Sequence, residues 1–200
     1  MNQMSTLHQR PTTQERLRQT ALDLFSTNGY QSTSLRDLAA HLGVQAGSIY
    51  NHIENKQSLL FELMEEALDD LLSETRFTLK RGSTSQSRLR LFVQAFVNFQ
   101  SRERKRLMLV DRESINLTPE QRERIAALRR QYAQCFESVI SHELPKQPCS
   151  SNGMQVLVNA IIGMLQSLPL WDDGESAVSS QEIVDQLTSM ITGAIGAAKR

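Results

Sequence analysis

Cysteine is nearly absent from this 200-residue chain. Only Cys135, in an expected helix, and Cys149, in an expected loop, occur, and they lie in no metal-ligand spacing. That pattern excludes a disulfide-stapled scaffold and a cysteine zinc site, and leaves ordinary packing or a free thiol in a reducing compartment. No uninterrupted apolar run approaches the roughly 18 residues of a membrane span, and the polar start MNQMSTLHQRPTTQE lacks the apolar core of a signal peptide. The expectation is a cytoplasmic protein with no membrane partner. The chain has no Gly-x-Ser-x-Gly elbow, no phosphate-cradling glycine loop and no paired metal motif, and His8, His41, His52 and His142 are scattered. An enzyme is therefore not expected, and neither a metal nor another cofactor. Net charge is lacking too: 22 basic residues balance 22 acidic ones, so any affinity for nucleic acid must come from local placement.

What is present is an ordinary apolar content of 40%, arranged almost throughout at helical spacing. Thr12 and Glu15 make a capping-box pair ahead of Leu17, Ala21, Leu24 and Phe25, and Asn28-Gly29 stops that helix. Leu59, Leu60, Leu63, Met64, Ala67, Leu68, Leu71 and Leu72 keep one face apolar for more than three turns. RGSTSQS, from Arg81 to Ser87, has loop composition, and a buried helix is expected to begin with Leu89, Phe92 and Val93. Leu107 to Val110 interrupt the charges between Ser101 and Glu113, which predicts a separate short helix there. Thr118-Pro119 marks another helix start, and Ile125, Leu128, Tyr132, Cys135, Phe136, Val139 and Ile140 supply its inner stripe until Pro145 and Pro148 close it. No segment alternates long enough for a sheet, so the fold is expected to be all-α.

The stretch from Ser34 to Leu60, SLRDLAAHLGVQAGSIYNHIENKQSLL, carries the most information. Ser34 and Asp37 start a short amphipathic helix through Leu42, Gly43 sits where a left-handed residue ends it, and Val44, Ile49, Tyr50 and Ile53 resume helical spacing after a short turn. The other positions of the second helix, Gln45, Ala46, Gly47, Ser48, Asn51 and His52, are small or able to hydrogen-bond, as a face that reads base edges requires. Gly47 inside so short a helix costs about 1 kcal/mol against alanine, which suits a place where backbone must approach a phosphate or base. Lys56, just after the N-cap position Asn55, sets a cation at a helix N-terminus, where the macrodipole disfavours it unless it serves an anion.

From about Thr12 to Leu60 the chain resembles the TetR family of transcriptional regulators. The shared pattern is a helix, a Gly-aromatic corner, a Thr-Ser helix start, a Gly-Val turn, Gly-x-x-Tyr-x-His, and Lys before a Leu pair. The resemblance implies that Thr33, Tyr50, His52 and Lys56 touch phosphates, with Ser34 at the helix start, while Gln45, Ala46, Ser48 and Asn51 face the major groove. Ile53 stands where the family usually has Phe, and Gln45 where Ser often caps the recognition helix. The long Gln45 amide is able to pair bidentately with adenine, as a specificity determinant. The implied organisation is an N-terminal arm and helix-turn-helix domain over residues 1–56, followed by a helical effector-binding and dimerisation domain over 57–200.

The first sixty residues carry five basic side chains (Arg10, Arg16, Arg18, Arg36, Lys56) against four acids (Glu15, Asp23, Asp37, Glu54), so a homodimer reading both halves of a palindrome is expected to supply the affinity that charge does not. The arginines between Arg76 and Arg130 read as solvated helix faces. The final helices are apolar beyond one core's need, and Met154, Leu157, Ile161, Leu165 and Leu187 are candidates either for the dimer interface or for the interior. Phe92, Phe96, Phe99, Met108, Tyr132 and Phe136 either fill the middle core or line a site for a small apolar effector. Arg106 to Phe136 and the later AIIGMLQSLPLW are similar to TetR regulators that sense acyl-CoA thioesters, which makes an acyl-CoA one candidate. The function so read is a ligand-responsive repressor on double-stranded operator DNA. The alternative is a helical protein-interaction module without specific DNA binding.

Overall fold

The computed structural model describes residues 12–141, 151–167 and 179–197. The N-terminal arm, the turn at Pro145 and Pro148, Cys149, and the SLPLW segment beyond Ser167 lie outside the described residues. Those described form α1 (Thr13–Asn28), α2 (Leu35–Leu42), α3 (Ala46–Ile49), α4 (Lys56–Leu79), α5 (Ser85–Arg112), a 3-10 turn (Ser114–Asn116), α6 (Pro119–Ile140), α7 (Ser151–Ser167) and α8 (Ser180–Ala197). Among them there is no strand, and the fold is all-α as expected. No helix of the described residues is long and apolar enough to cross a membrane.

Capping chemistry sets the starts. Thr12 with Glu15, Ser34 with Asp37, Asn55 with Ser58, Thr84 with Ser87 and Thr118 with Gln121 each form a reciprocal capping box. At each start the cap side chain takes one otherwise unpaired backbone N–H. Asp37 accepts from both the N–H and the hydroxyl of Ser34 at 2.7 Å, and these bonds hold its carboxyl below the usual range. Replacing Ser34 with alanine is expected to cost about 1 kcal/mol, readable as a lowered midpoint in urea unfolding.

Two expectations change here. The Thr84–Ser87 box starts α5 inside the RGSTSQS segment. The separate short helix expected at 101–113 is instead the second half of α5, which bends at Glu103, where φ −115° and ψ 25° leave the helical region. Charge density hid that continuity, because the partners lie on other helices: Arg102 pairs with Glu74, Lys105 with Asp23, and Arg106 with Asp70.

α4 packs along α5 and α6, α1 packs on α2, α4 and α5, α6 carries α7, and α5 carries α8. The buried residues form two clusters. One joins α1 to α3 with the first half of α4, from Leu59 to Leu68, and with Leu109, Val110, Leu117, Ile125 and Leu128. The other joins the second half of α4 to α5, α6, α7 and α8. The helix-turn-helix end thus shares one core with the middle of the chain, and α4 runs through both.

Candidate nucleic-acid interface and ligand cavity

Gly43 closes α2 in the left-handed conformation (φ +68°), and the Val44 N–H reaches back to the Ala39 carbonyl at 3.0 Å. That turn costs a non-glycine residue its Cβ clearance, so Gly43 fixes where α3 departs. Helix α3 is one turn, shorter than the spacing to Ile53 suggested; the chain continues through Asn51 and His52 in turns closed on Ser48 and Ile49 carbonyls. Ile49 and Ile53 are buried beneath it. Gln45, Gly47, Tyr50, Asn51 and His52 are exposed, Ala46 and Ser48 half-buried. The Ser48 hydroxyl donates to the Gln45 carbonyl at 2.7 Å, while Gln45 itself makes no side-chain cap. Its amide is left for solvent or a ligand. A Cβ added at Gly47 would meet no atom within 4 Å, so nothing inside the chain demands glycine there.

Thr33 is a correction. Its side chain is 2% exposed, and its hydroxyl donates to the Gly29 carbonyl at 3.0 Å and the Leu24 carbonyl at 3.4 Å. It braces the corner between α1 and α2 from within and does not face a phosphate. Lys56 has an internal duty that the sequence did not show. Its ammonium donates to the Tyr30 carbonyl at 3.0 Å and the Thr33 carbonyl at 2.9 Å and lies 4.1 Å from the centre of the Tyr30 ring. Those acceptors and the ring offset the unfavourable helix end, with one ammonium proton remaining. Partial burial lowers the Lys56 pKa, opposed by the charge of Glu113.

Glu113 and Asn116, between α5 and α6, grip this same corner. The Tyr30 N–H donates to the Glu113 carboxylate at 3.4 Å, Gln31 donates to the Asn116 side chain, and Gln57 donates to the Asn116 carbonyl at 3.2 Å. Asn116 also donates to Glu113 at 2.7 Å. No local sequence pattern announces these contacts, since their partners lie 59 to 85 residues away.

Between α4, α5, α6 and α7 lies a cavity of about 40 Å³, room for one or two waters. Leu68, Leu71, Phe96 and Ile162 give it apolar walls, and Gln100, Asp111, Arg129 and Tyr132 contribute polar atoms. Phe96 and Tyr132 are thus the two sequence candidates on its wall. Phe92 and Phe136 stand behind Tyr132, with ring centres 5.1 Å apart for Phe92–Tyr132 and 4.8 Å for Phe92–Phe136. Phe99 is packed in the core, and Met108 is half-buried beside Leu107, which lines the cavity in its place. Arg129 was missed, although it falls on the α6 stripe of Ile125, Tyr132 and Phe136. It donates to the Val110 carbonyl and to Asp111, each at 3.0 Å. Partial desolvation raises the Asp111 pKa against the pull of Arg129. Burial raises the Cys135 thiol against the pull of Arg76 and Arg88.

A second, open groove is lined by Arg76, Lys80 and Arg88 together with Gln131, Gln134 and Cys135, with no acid in its lining. Most other basic residues of the middle helices are engaged: besides those above, Arg90 pairs with Asp185, Arg124 with Glu65 and Arg130 with Glu123.

Ile161, Leu165 and Leu187 are buried within the protomer's own core, and Met154 and Leu157 are half-buried against it. The outward faces of α7 and α8 consist of other residues. Val156 is 68% exposed and Met190 59%, and Asn159, Ala160, Gly163, Ser189, Gly193 and Ala194 are exposed with them.

A short exposed helix after a glycine turn, seated on two supporting helices, defines a helix-turn-helix protein of the DNA-binding class. Residues 17–63 match the model of bacterial regulatory proteins of the tetR family, and residues 82–195 match that of the tetracyclin repressor-like C-terminal domain. The chain belongs to the TetR family of transcriptional regulators. It is 34% identical over 73 residues to the HTH-type transcriptional repressor KstR2 of Rhodococcus jostii, covering 36% of each chain. To the HTH-type transcriptional activator FasR of Mycolicibacterium smegmatis it is 29% identical over 79 residues, 40% of this chain and 36% of FasR. The chain thus spans little more than a third of the length of these curated relatives. Among solved structures, a tetR-family regulatory protein from Rhodococcus RHA1 superposes with a TM-score of 0.82 at 21% identity, over 93% of this chain and 98% of that one. AibR, solved with isovaleryl coenzyme A and operator DNA, superposes with a TM-score of 0.76 at 23% identity, over 89% and 97%. At these identities the structures attest the fold.

Proposed function

We propose that the chain is a repressor that binds a palindromic operator as a homodimer and is released by a small apolar effector, with an acyl-CoA the favoured class. The observation that carries the reading is the free outer face of α3 and the turns flanking it, where Gln45, Gly47, Tyr50, Asn51 and His52 are exposed above buried Ile49 and Ile53. Gln45 and Asn51 supply base-edge contacts, and Tyr50, His52 and the remaining Lys56 proton supply phosphate contacts. Ser34 caps the helix that supports them.

One such turn reads few base pairs, so a partner is required. The exposed Val156, Ala160, Gly163, Met190, Gly193 and Ala194 give α7 and α8 a partner face of small and apolar residues, with Met154 and Leu157 at its margin. The paired helices of two protomers then form the dimer bundle.

The cavity of about 40 Å³ admits no acyl chain without movement of its walls. Leu68 and Leu71 of α4 are among those walls, and α4 begins at Lys56 in the head. A ligand that opens the cavity therefore shifts the head, and it favours the state that does not bind DNA by its difference in affinity, typically about 1–3 kcal/mol. The Glu113–Asn116 grip on Tyr30, Gln31 and Gln57 ties the α5–α6 end to the same movement. Arg76, Lys80 and Arg88 offer cations for the phosphates of a CoA moiety, and the likeness to AibR in its coenzyme A complex supports that class.

The test is a gel shift on DNA beside the chain's own coding sequence across a salt series, with hexanoyl-CoA added to the complex. Palindrome-specific binding that the ligand releases is expected; binding blind to sequence at every salt concentration refutes the regulator reading. Gln45→Ala is expected to relax base preference at one position of each half-site by about 1–3 kcal/mol of discrimination. Equal loss on every operator variant would show that Gln45 does not read sequence.

A further inference from the structure

Two hydroxyls in the middle of the molecule have no protein partner besides each other. Tyr132 is 5% exposed and Thr75 fully buried, and beyond their contact with each other neither the phenol oxygen nor the Thr75 hydroxyl has a hydrogen-bond partner in the protein. They are neighbours, with the Thr75 side chain set within hydrogen-bonding reach of the Tyr132 phenol. Both stand on otherwise apolar stripes, Thr75 with Leu68, Leu71, Leu72 and Leu79 on α4, and Tyr132 with Ile125, Leu128 and Phe136 on α6. Apolar residues of the same shape, valine and phenylalanine, would fill both places without stranding a polar group. Hydroxyls held there against that cost point to a use.

Tyr132 is also part of the cavity wall, beside Leu71 and Phe96. Burial drives the phenol pKa far upward, so it stays protonated and offers a donor at any physiological pH. The rim adds the Arg129 Nε, likewise without a partner. The charged nitrogen of Arg129 is already matched by Asp111 at 3.0 Å, so the site has no spare positive charge for an anion. The polar part of the lining, the Tyr132 phenol, the Gln100 and Gln166 amides and the Arg129–Asp111 pair, is charge-balanced, and Thr75 stands beside Tyr132 just behind that wall. Such a site suits an uncharged oxygen acceptor, and a carbonyl oxygen has two lone pairs to receive the two hydroxyls.

We propose that Tyr132 and Thr75 determine effector specificity by binding the carbonyl oxygen of an apolar ligand, of the ketone, ester or thioester class. The inference rests on the effector reading above and deepens it: the apolar walls take the chain, and the paired hydroxyls select the functional group. A hydrocarbon of equal shape would leave both hydroxyls stranded and be rejected on that account.

The experiment compares ligands that differ only at that oxygen, using the full chain. Hexanoyl-CoA is set against S-hexyl-CoA by calorimetry, and 2-octanone against 2-methyl-1-octene by the shift in Tm. The carbonyl member of each pair is expected to bind at least about tenfold tighter, as one to two buried hydrogen bonds would give. Tyr132→Phe and Thr75→Val are expected to shrink that preference severalfold each without lowering the Tm of the ligand-free protein. Equal binding within the pairs, an unchanged preference in both variants, or a Tm several degrees lower in Tyr132→Phe would overturn the assignment, the last by revealing a protein partner for the hydroxyl. Binding by the ketone but by neither CoA compound removes the acyl-CoA class and upholds the role of the hydroxyls. Binding by none of the four ligands refutes the effector reading and the assignment together.

Discussion

Replacing Ala160 with glutamate is expected to break the dimer and reduce operator affinity on the order of a thousandfold, which is the gap between specific and non-specific binding. Ala160 lies on the exposed side of α7 with Val156 and Gly163, where a two-fold axis would set like residues close together. A carboxylate there meets its own copy across an apolar contact and must be desolvated without a cation to pair with. Sedimentation at micromolar concentration checks the first part, and operator titration the second. Because Ala160 is exposed, the protomer's interior is untouched, and helix content should persist. A variant that remains dimeric would place the interface elsewhere on the molecule.

Lys56→Met carries the second large effect. The substitution keeps the methylene stem and removes the two bonds to the Tyr30 and Thr33 carbonyls and the cation above the Tyr30 ring. Bonds from a charged donor are the stronger kind, so a loss of about 2 kcal/mol is expected, a Tm lowered by about 4–8 °C. The corner that Lys56 holds also positions α2, so every operator variant should weaken alike. Its remaining proton makes a separate, measurable claim: the slope of log affinity against log salt should fall by about one if Lys56 reaches a phosphate. An unchanged slope with a lowered Tm would assign Lys56 to the internal bonds alone.

The difference between legible and illegible features lies in the distance to the partner. The boxes at Thr12 and Ser34, the Thr118-Pro119 start and the Gly43 turn were readable because cap and backbone lie within four residues of each other. The continuity of α5 was not, because Arg102, Lys105 and Arg106 find their acids on α1 and α4, and a charged run whose partners are remote looks like a solvated loop or face. Thr33 and Lys56 show the same limit in the site itself. Their residue types fit a phosphate contact, yet tertiary folding turned the Thr33 hydroxyl inward and gave Lys56 two carbonyls. The exposed face of α3 was legible because its neighbours at Ile49 and Ile53 mark the buried side by spacing alone. For α7 and α8, spacing identified an apolar stripe but could not say whether it faces the core or the surface. The largest residues, Ile161, Leu165 and Leu187, fill the protomer core, and the outward side is built from smaller ones around Val156 and Met190. Around the cavity, aromatic residues drew attention, whereas Arg129 in its lining and Thr75 on the buried side of α4 stood unnoticed, because polar residues there are usually assigned to the surface.

Repression as proposed requires a two-fold reader whose separate heads recognise sequence. Titration of the full chain against a palindrome selected from random DNA, followed by anisotropy over a salt series, measures that claim directly. Saturation at two protomers per palindrome, with affinity on the order of a thousandfold above a scrambled duplex at equal salt, is the predicted result. Equal affinity for palindrome and scrambled duplex, or saturation by a single protomer, would contradict it.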